Sequence, residues 1–420
     1  MRRVWALALL AGWSAPAQIL PEEISRRAEA MAAKLSECRR DFHMHPELSN
    51  HEERTARVIA ERLRALGFTD IRTGVARHGI VATLVGAKPG PVVAWRTDMD
   101  ALPIDESTFP VDYRSKTPGV KHACGHDAHM AVALGLAELL AGMQSQLGGT
   151  VQFVFQPAEE GAKDAPEWGA KLMVKEGALD NPRPQAIFAF HVNPMIEAGQ
   201  IGYSPGPGSA ASDTIRIRIL GKRAHGAYPF QGIDAVAVAS QCISAIQAIH
   251  SRRIPTQSPS VITIGTIQGG DRRNIIAESV ELGGTVRTFE AGTRDTIERM
   301  LGETLEGCTA AQGAKFELNY RRGYPAMNNN AALVEAALPA LRKLLGESKV
   351  VALKPPMSAE DFSYFQEQIP GVMFSLGVRN EARGITAGVH TANFDLDESA
   401  LVTGVKVAAT LVLDVLGRKQ

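Results

Sequence analysis

The chain carries no excess of charge of either sign: 45 Lys and Arg stand against 45 Asp and Glu in 420 residues. That balance, with no basic stripe, removes the electrostatic footprint of a nucleic-acid binder. The lack of a polybasic block removes that of a protein held on an anionic membrane surface. There is no low-complexity tract and no repeat of roughly 20–50 residues, so solenoid architectures are excluded. Cysteine is scarce, with Cys38, Cys124, Cys242 and Cys308 the full set. Hydrophobic content of 45% and charged content of 21% are those of an ordinary globular protein. The length fits one large domain or two ordinary ones.

The N-terminus lacks an apolar run long enough to span a bilayer, which takes about 20 residues. It has a leader pattern instead: Arg2-Arg3, a short apolar stretch from Val4 to Trp13, then Ser14-Ala15-Pro16-Ala17. Residues 1–17 are therefore expected to be a cleaved signal peptide. The mature chain would be exported to the periplasm or secreted, with no membrane association after processing. An even cysteine count in an exported protein invites a disulfide reading. A chain this long builds its own core, however, and Cys38, Cys242 and Cys308 sit in helical patterns as small buried residues. They are read that way here, with a Cys242–Cys308 bridge left open. Cys124 differs because its neighbours are metal-ligand types.

Residues 21–42 read as one helix with charges on one face. Ser49-Asn50-His51-Glu52 reads as a capping box opening a second helix that stops at Gly67. Strands are expected at 79–85, 92–97, 151–156 and 186–191, with a helix over 127–140, an alternation that predicts an α/β sandwich with its site at strand C-terminal ends. The pattern changes after Gly206-Pro207-Gly208. From 212 to 321 the order is strand, helix, strand, strand, helix, strand, a ferredoxin-like unit. In the first strand Ile215, Ile217 and Ile219 alternate with Arg216 and Arg218. The unit reads as an insertion, because α/β patterning resumes after Gly323-Tyr324-Pro325 and ligand-type motifs lie on both sides.

Four motifs carry the chemistry: His122-Ala123-Cys124-Gly125-His126-Asp127, Gln156-Pro157-Ala158-Glu159-Glu160-Gly161, Phe190-His191-Val192 and Gly388-Val389-His390-Thr391. Together they supply a thiolate, at least three imidazoles and two adjacent carboxylates. That suffices to hold two divalent cations and leave one carboxylate as a base. Cys124 and His126, two apart, are expected to face one side of an extended loop. Adjacent carboxylates such as Glu159 and Glu160 repel unless something compensates them. A strand-end His191 or a loop His390 alone is more often a structural hydrogen-bonder, and Cys124 alone a buried thiol; the combination decides. Asp98 and Asp100 follow the strand 92–97 with both side chains on one face. A carboxylate there either orients a ligating histidine from behind, with Asp100 the candidate, or caps the next segment as a turn aspartate. Glu360-Asp361 reads as a charge pair opening a helix.

With those segments, the chain resembles the M20 family of metallopeptidases and amidohydrolases, in the branch of N-acyl-amino-acid amidohydrolases, hippurate hydrolases and plant auxin-conjugate hydrolases. Further matching segments are His45-Pro46-Glu47-Leu48, Arg96 to Pro103, Gly284 to Phe289, Glu360-Asp361-Phe362-Ser363 and His390 to Leu401. The resemblance implies a zinc-exopeptidase-like α/β catalytic domain over 18–207 and 323–420, with a ferredoxin-like α+β lid and dimerisation domain over 208–322. It implies Cys124, His126, Glu160, His191 and His390 as metal ligands and Glu159 as general base. It implies His225 as a donor to the oxyanion, and Asn274 and Arg287 as holders of the substrate. Two divalent metal ions per chain, zinc or manganese first and cobalt or nickel also suited, a homodimer, and an N-acyl amino acid or short peptide as substrate follow from it. The runner-up activity is an exopeptidase of the same fold. The chain departs from the family's pattern at Arg223-Ala224-His225, Pro229-Phe230, Met357-Ser358-Ala359 and the loop from Ala162 to Trp168. These departures bear on substrate choice rather than on the metal centre.

Overall fold

The structure, a computed structural model, describes residues 21–162 and 165–417. The expected leader at 1–17 lies outside the described residues. The single helix expected over 21–42 is two, α1 (Pro21–Ala30) and α2 (Ala32–Met44), separated by a break at Met31. The next helix, α3 (Glu53–Ala65), starts about a turn later than a Ser49 cap predicts, and its capping differs. The Glu47 carboxylate accepts the free N–H groups of Arg54 and Thr55 at 3.0 and 2.8 Å. Ser49, the expected cap, donates instead to Asp100 at 2.7 Å. A local capping signal was overridden by a carboxylate distant in sequence.

The body is built on β1 (Asp70–Val75), β2 (Gly79–Val85), β3 (Lys88–Asp98), α4 (His126–Ala141), β4 (Gly148–Gln156), β5 (Ala186–Glu197) and β6 (Ile201–Tyr203). The chain then enters a separate sheet through β7 (Ala211–Leu220), α5 (Ala235–Arg253), β8 (Ser260–Gly269), β9 (Ser279–Thr288), α6 (Ala291–Ala310) and β10 (Lys315–Arg322). It returns to the body through α7 (Ala331–Leu345), β11 (Val350–Ala352), β12 (Gly371–Arg379) and α8 (Ser399–Leu416).

The body sheet has eight strands in the order β1-β2-β4-β3-β5-β12-β6-β11. The central run β4, β3, β5 and β12 is parallel, so these strands deliver their C-terminal ends to one edge. Parallel strands buried on both faces read as continuous apolar runs, as Val151 to Phe155 does. Helix α4 is buried on nearly every side between the sheet and the helices α2 and α8, which explains an apolar composition without amphipathic pattern. α8 is long and apolar enough to match a membrane span, yet most of it faces the same core.

The second sheet is antiparallel, in the order β8-β9-β7-β10. This is the ferredoxin-like connectivity of the sequence pattern. β7 alternates as expected, with Ile215, Ile217 and Ile219 buried and Arg216 and Arg218 exposed. The buried face packs on Val238, Cys242 and Ile246 of α5 and on Ile297, Leu301 and Leu305 of α6. Burial of each such aliphatic side chain contributes about 1.5–3 kcal/mol. The reading of Cys242 and Cys308 as merely small buried residues is corrected: they form a disulfide between α5 and α6, with Cα atoms 5.6 Å apart. Helix packing sets them opposite each other, a placement that sequence spacing does not contain. Cys38 is buried and free, as expected.

Candidate metal centre

The four motifs meet at the C-terminal edge of the parallel strands. Cys124 and His126 are not extended, as expected, but bracket a tight turn at Gly125, whose φ is 86° and whose absent Cβ would stand 2.4 Å from Val192 Cγ2. Only glycine fits there, on both counts. The turn delivers the thiol and, as the first residue of α4, the His126 imidazole to one point. His126 Nδ1 donates to the Asp100 carbonyl at 2.8 Å, which leaves Nε2 bare, buried and without a hydrogen-bond partner. His191 is fixed in the same way: Nδ1 donates to the Val192 carbonyl at 2.8 Å, and Nε2 lies 3.4 Å from Cys124 Sγ. A bare, aimed Nε2 is the state a metal-binding histidine needs.

Glu159 and Glu160 follow β4 on a turn that begins with Ala158 at φ 54°. The Asp100 carboxylate accepts the N–H groups of Glu159 and Glu160, both at 3.0 Å. Asp100 therefore does more than was expected of it. Its carbonyl orients His126, while its carboxylate shapes the Glu-Glu turn. His390 comes from the loop before α8, also in the left-handed region at φ 61°. Its backbone N–H donates to the Ala123 carbonyl at 2.7 Å. Its Nε2 lies 3.2 Å from Cys124 Sγ and 3.1 Å from Glu160 Oε1.

The ligand atoms of Cys124, His126 and His191 lie within 4.8 Å of one another, as do those of Cys124, Glu160 and His390 and those of His126, Glu159 and Glu160. Two of these triads share the Cys124 sulfur. The local field is strongly negative. Burial, then the carboxylates of Glu160, Glu159 and Asp98, hold the Cys124 thiol well above its usual range. Burial would lower His126, but Asp98, Asp100 and Glu160 outweigh it and lift the imidazole to about 10. Burial, then Glu360 and Glu160, raise Glu159 well above an ordinary carboxylate. Divalent cations compensate such a field, and sulfur, imidazole and carboxylate together suit borderline metals. The residues present fit two such ions.

Residues 94–414 match the model of peptidase family M20/M25/M40. The chain belongs to that family. The chain is 39% identical to an N-acyl-L-amino acid amidohydrolase of Geobacillus stearothermophilus, over 73% of this chain and 81% of that one. It is 35% identical to thermostable carboxypeptidase 2 of Saccharolobus solfataricus, over 94% and 98%. Among solved structures it is similar to a dinuclear metal binding peptidase of the M20 family from Bacillus subtilis, with a TM-score of 0.80 and 35% identity over 92% and 99%. The protein is thus a metal-dependent M20 hydrolase acting on amide bonds.

Behind the ligand-type residues of this M20 chain lies a buried network that the sequence reading left out. Arg96 Nη1 pairs with Asp98 at 2.8 Å, its Nη2 with Glu360 and Asp361 at 3.0 Å each, and its Nε donates to Gln156 at 2.8 Å. Glu360-Asp361 does open a short helix, Ser363–Gln366, but as the buried partner of a strand arginine. His129, one helical turn beyond His126, donates from Nδ1 to Asp98 at 2.6 Å and accepts the Val192 N–H on Nε2 at 2.9 Å. With both nitrogens committed it is a brace rather than a ligand. Its spacing of three from His126 on a helix was the available signal.

The second-sheet residues stand apart. His225 Nδ1 accepts the Ala227 N–H at 3.1 Å, and the Gly226 N–H donates to the Asn274 carbonyl at 2.8 Å, which makes His225 and Asn274 neighbours. Arg287 donates to Ser212 and is half-buried in its own sheet. Among the described residues, no hydrogen bond or ion pair joins these three to the metal-type cluster.

Proposed function

We propose that this M20 enzyme is an exported amidohydrolase that cleaves N-acyl or N-aroyl amino acids, using two divalent cations held by Cys124, His126, Glu160, His191 and His390. The observation that carries the reading is the convergence of these five ligand atoms beside one further buried carboxylate, Glu159. Zinc and manganese suit the donor set best. When bound, the ions polarise the amide carbonyl and lower the pKa of the attacking water. Glu159 then accepts the proton of that water and passes it to the leaving amine nitrogen. Buried beside His126 and Glu160, its carboxylate has the reach that this shuttle requires. His225, with Asn274 and Arg287, is assigned to the substrate: an imidazole donor for the developing oxyanion and a guanidinium for the carboxylate. By the family resemblance, the reading includes residues 208–322 as a lid over the site and a homodimer as the assembly. The leader at 1–17 supports export.

A second reading, exopeptidase activity of the same site, is favoured by the carboxypeptidase among relatives of similar identity. Purified without chelator, the chain from residue 18 onward is expected to hold about two metals and to release amine from N-acetyl or N-benzoyl amino acids faster than from dipeptides. Glu159→Gln should keep the metal and lose activity on the order of 10²–10⁴-fold, whereas His126→Ala should lose metal. Near-native turnover by Glu159→Gln overturns the base assignment, and faster dipeptide cleavage selects the second reading.

A further inference from the structure

The turn that carries Glu159 is held from two directions. Its N–H groups are held by the body: Asp100 takes those of Glu159 and Glu160 at 3.0 Å each, and Glu52 takes that of Ala158 at 2.8 Å. Its carbonyl is held from elsewhere. The Tyr324 hydroxyl donates to the Glu159 carbonyl at 2.8 Å. That hydroxyl in turn accepts the Trp168 indole N–H at 3.1 Å, so its single proton is directed at Glu159. The same indole covers Gly161, where a Cβ would lie 3.7 Å from Nε1.

Tyr324 stands where the chain leaves the second sheet for the body. Its carbonyl accepts the Ser212 N–H at 3.0 Å from the outgoing strand. Gly323, beside it, donates to Asp213 of β7 at 3.1 Å and accepts from Arg294 of α6 at 3.2 Å. On the body side, the Tyr364 ring meets Tyr324 edge-on at 6.1 Å. The residue that clamps the Glu159 carbonyl is thus tied by its backbone to both strands of the crossing. A non-glycine residue in the left-handed region, Ala158, persists only when its surroundings over-determine it. Tyr324, at the crossing between sheet and body, adds a hold on the carbonyl of the next residue in that turn.

We propose that Tyr324 is a positioning residue: its hydroxyl fixes the Glu159 peptide and ties the aim of that carboxylate to the hinge of the inserted sheet. The proposal rests on Glu159 being the base. Without the clamp, the peptide between Glu159 and Glu160 keeps only the Glu160 N–H bond to Asp100 and can tilt about that one anchor, swinging the Glu159 side chain off line. A displacement of about 1 Å at a reacting group costs on the order of 10²-fold in rate.

The test is Tyr324→Phe, which removes one oxygen, compared with Trp168→Phe, the double variant and Glu159→Gln. Each is assayed for metal content, melting temperature, and kcat and KM on N-benzoyl and N-acetyl amino acids. Tyr324→Phe is expected to lose about 10–100-fold in kcat, with KM within about twofold and metal content and melting temperature unchanged. Trp168→Phe should lose less in the same direction. The double variant should be no slower than Tyr324→Phe, because the two side chains act in series. A wild-type kcat in Tyr324→Phe beside an inactive Glu159→Gln overturns the positioning role and leaves the base assignment standing. Additive losses, a raised KM, or a loss that tracks metal or melting temperature also overturn it. Near-native turnover in Glu159→Gln removes both together.

Discussion

The body and the inserted sheet bury different kinds of group. The body encloses charge. Arg39 is fully buried between Asp127 at 2.8 Å and Asp395 at 3.1 Å, and Arg96 is equally enclosed by Asp98, Glu360 and Asp361. His43, Glu106 and Lys121 extend the Arg39–Asp127 cluster: His43 lies 2.7 Å from Asp127, and Glu106 lies 3.0 Å from His43 and 2.8 Å from Lys121. The inserted sheet encloses aliphatic side chains and a disulfide. Among its described residues the buried carboxylate is Asp213, at the hinge, bound by Arg294 and Tyr320. Buried ion networks are poor sources of stability but good devices for fixing where side chains point. The body's buried charge holds ligand-type atoms in place; the inserted sheet needs only to remain folded while presenting polar residues on its surface.

Four substitutions or titrations would break or sharpen that contrast. Arg96→Met strands three carboxylates in the body's interior and should destabilise it by about 3–5 kcal/mol, read from chemical denaturation. A much smaller change would mean that water reaches the network. Cys242→Ser opens a bridge spanning 66 residues of sequence and should weaken the inserted sheet by about 2–4 kcal/mol. The loss should appear as faster amide exchange in α5 and α6, with metal binding in the body unchanged.

Glu106 gives the body a pH signature. Burial opposes its charge, but His43 and Lys121 outweigh burial and hold the carboxyl down at about 2, against 4.5 for the free group. A folded value below the unfolded one means that the contribution is fully present above pH 4.5 and is lost as pH falls through 2. Glu106→Gln should therefore flatten the acid limb of the stability profile in that window. An unchanged limb would place the acid sensitivity elsewhere. The smallest effect is expected at Arg218→Ala, whose pair with Glu317 is 3.7 Å long with side chains 47% and 63% exposed. It should move stability by less than about 0.5 kcal/mol.

The contrast also marks what could be read in advance. The α/β class and the ferredoxin-like order were legible because strand and helix periods differ and each element repeats its own period several times. The four motifs were legible because thiol, imidazole and paired carboxylate are unusual neighbours at strand ends. Arg96 and His129 were not, since a lone arginine in a strand and a second histidine in a helix announce no partner until Glu360 and Asp98 are brought beside them. Ser49 misled for the complementary reason. Its local pattern was satisfied, but Asp100, 51 residues away, competes for its hydroxyl. The Cys242–Cys308 bond likewise depends on packing between helices rather than on any run of residues.

His390 approaches Cys124 across 266 residues of sequence, with the whole inserted sheet between them. During synthesis Cys124, His126, Glu160 and His191 emerge long before this last imidazole. A chain ending at the insertion would hold four of these five ligand-type residues and lack the His390 imidazole that lies 3.2 Å from Cys124 Sγ. The cluster therefore closes only when the two segments of the body come together, so its integrity reports on the whole body and not on either segment alone.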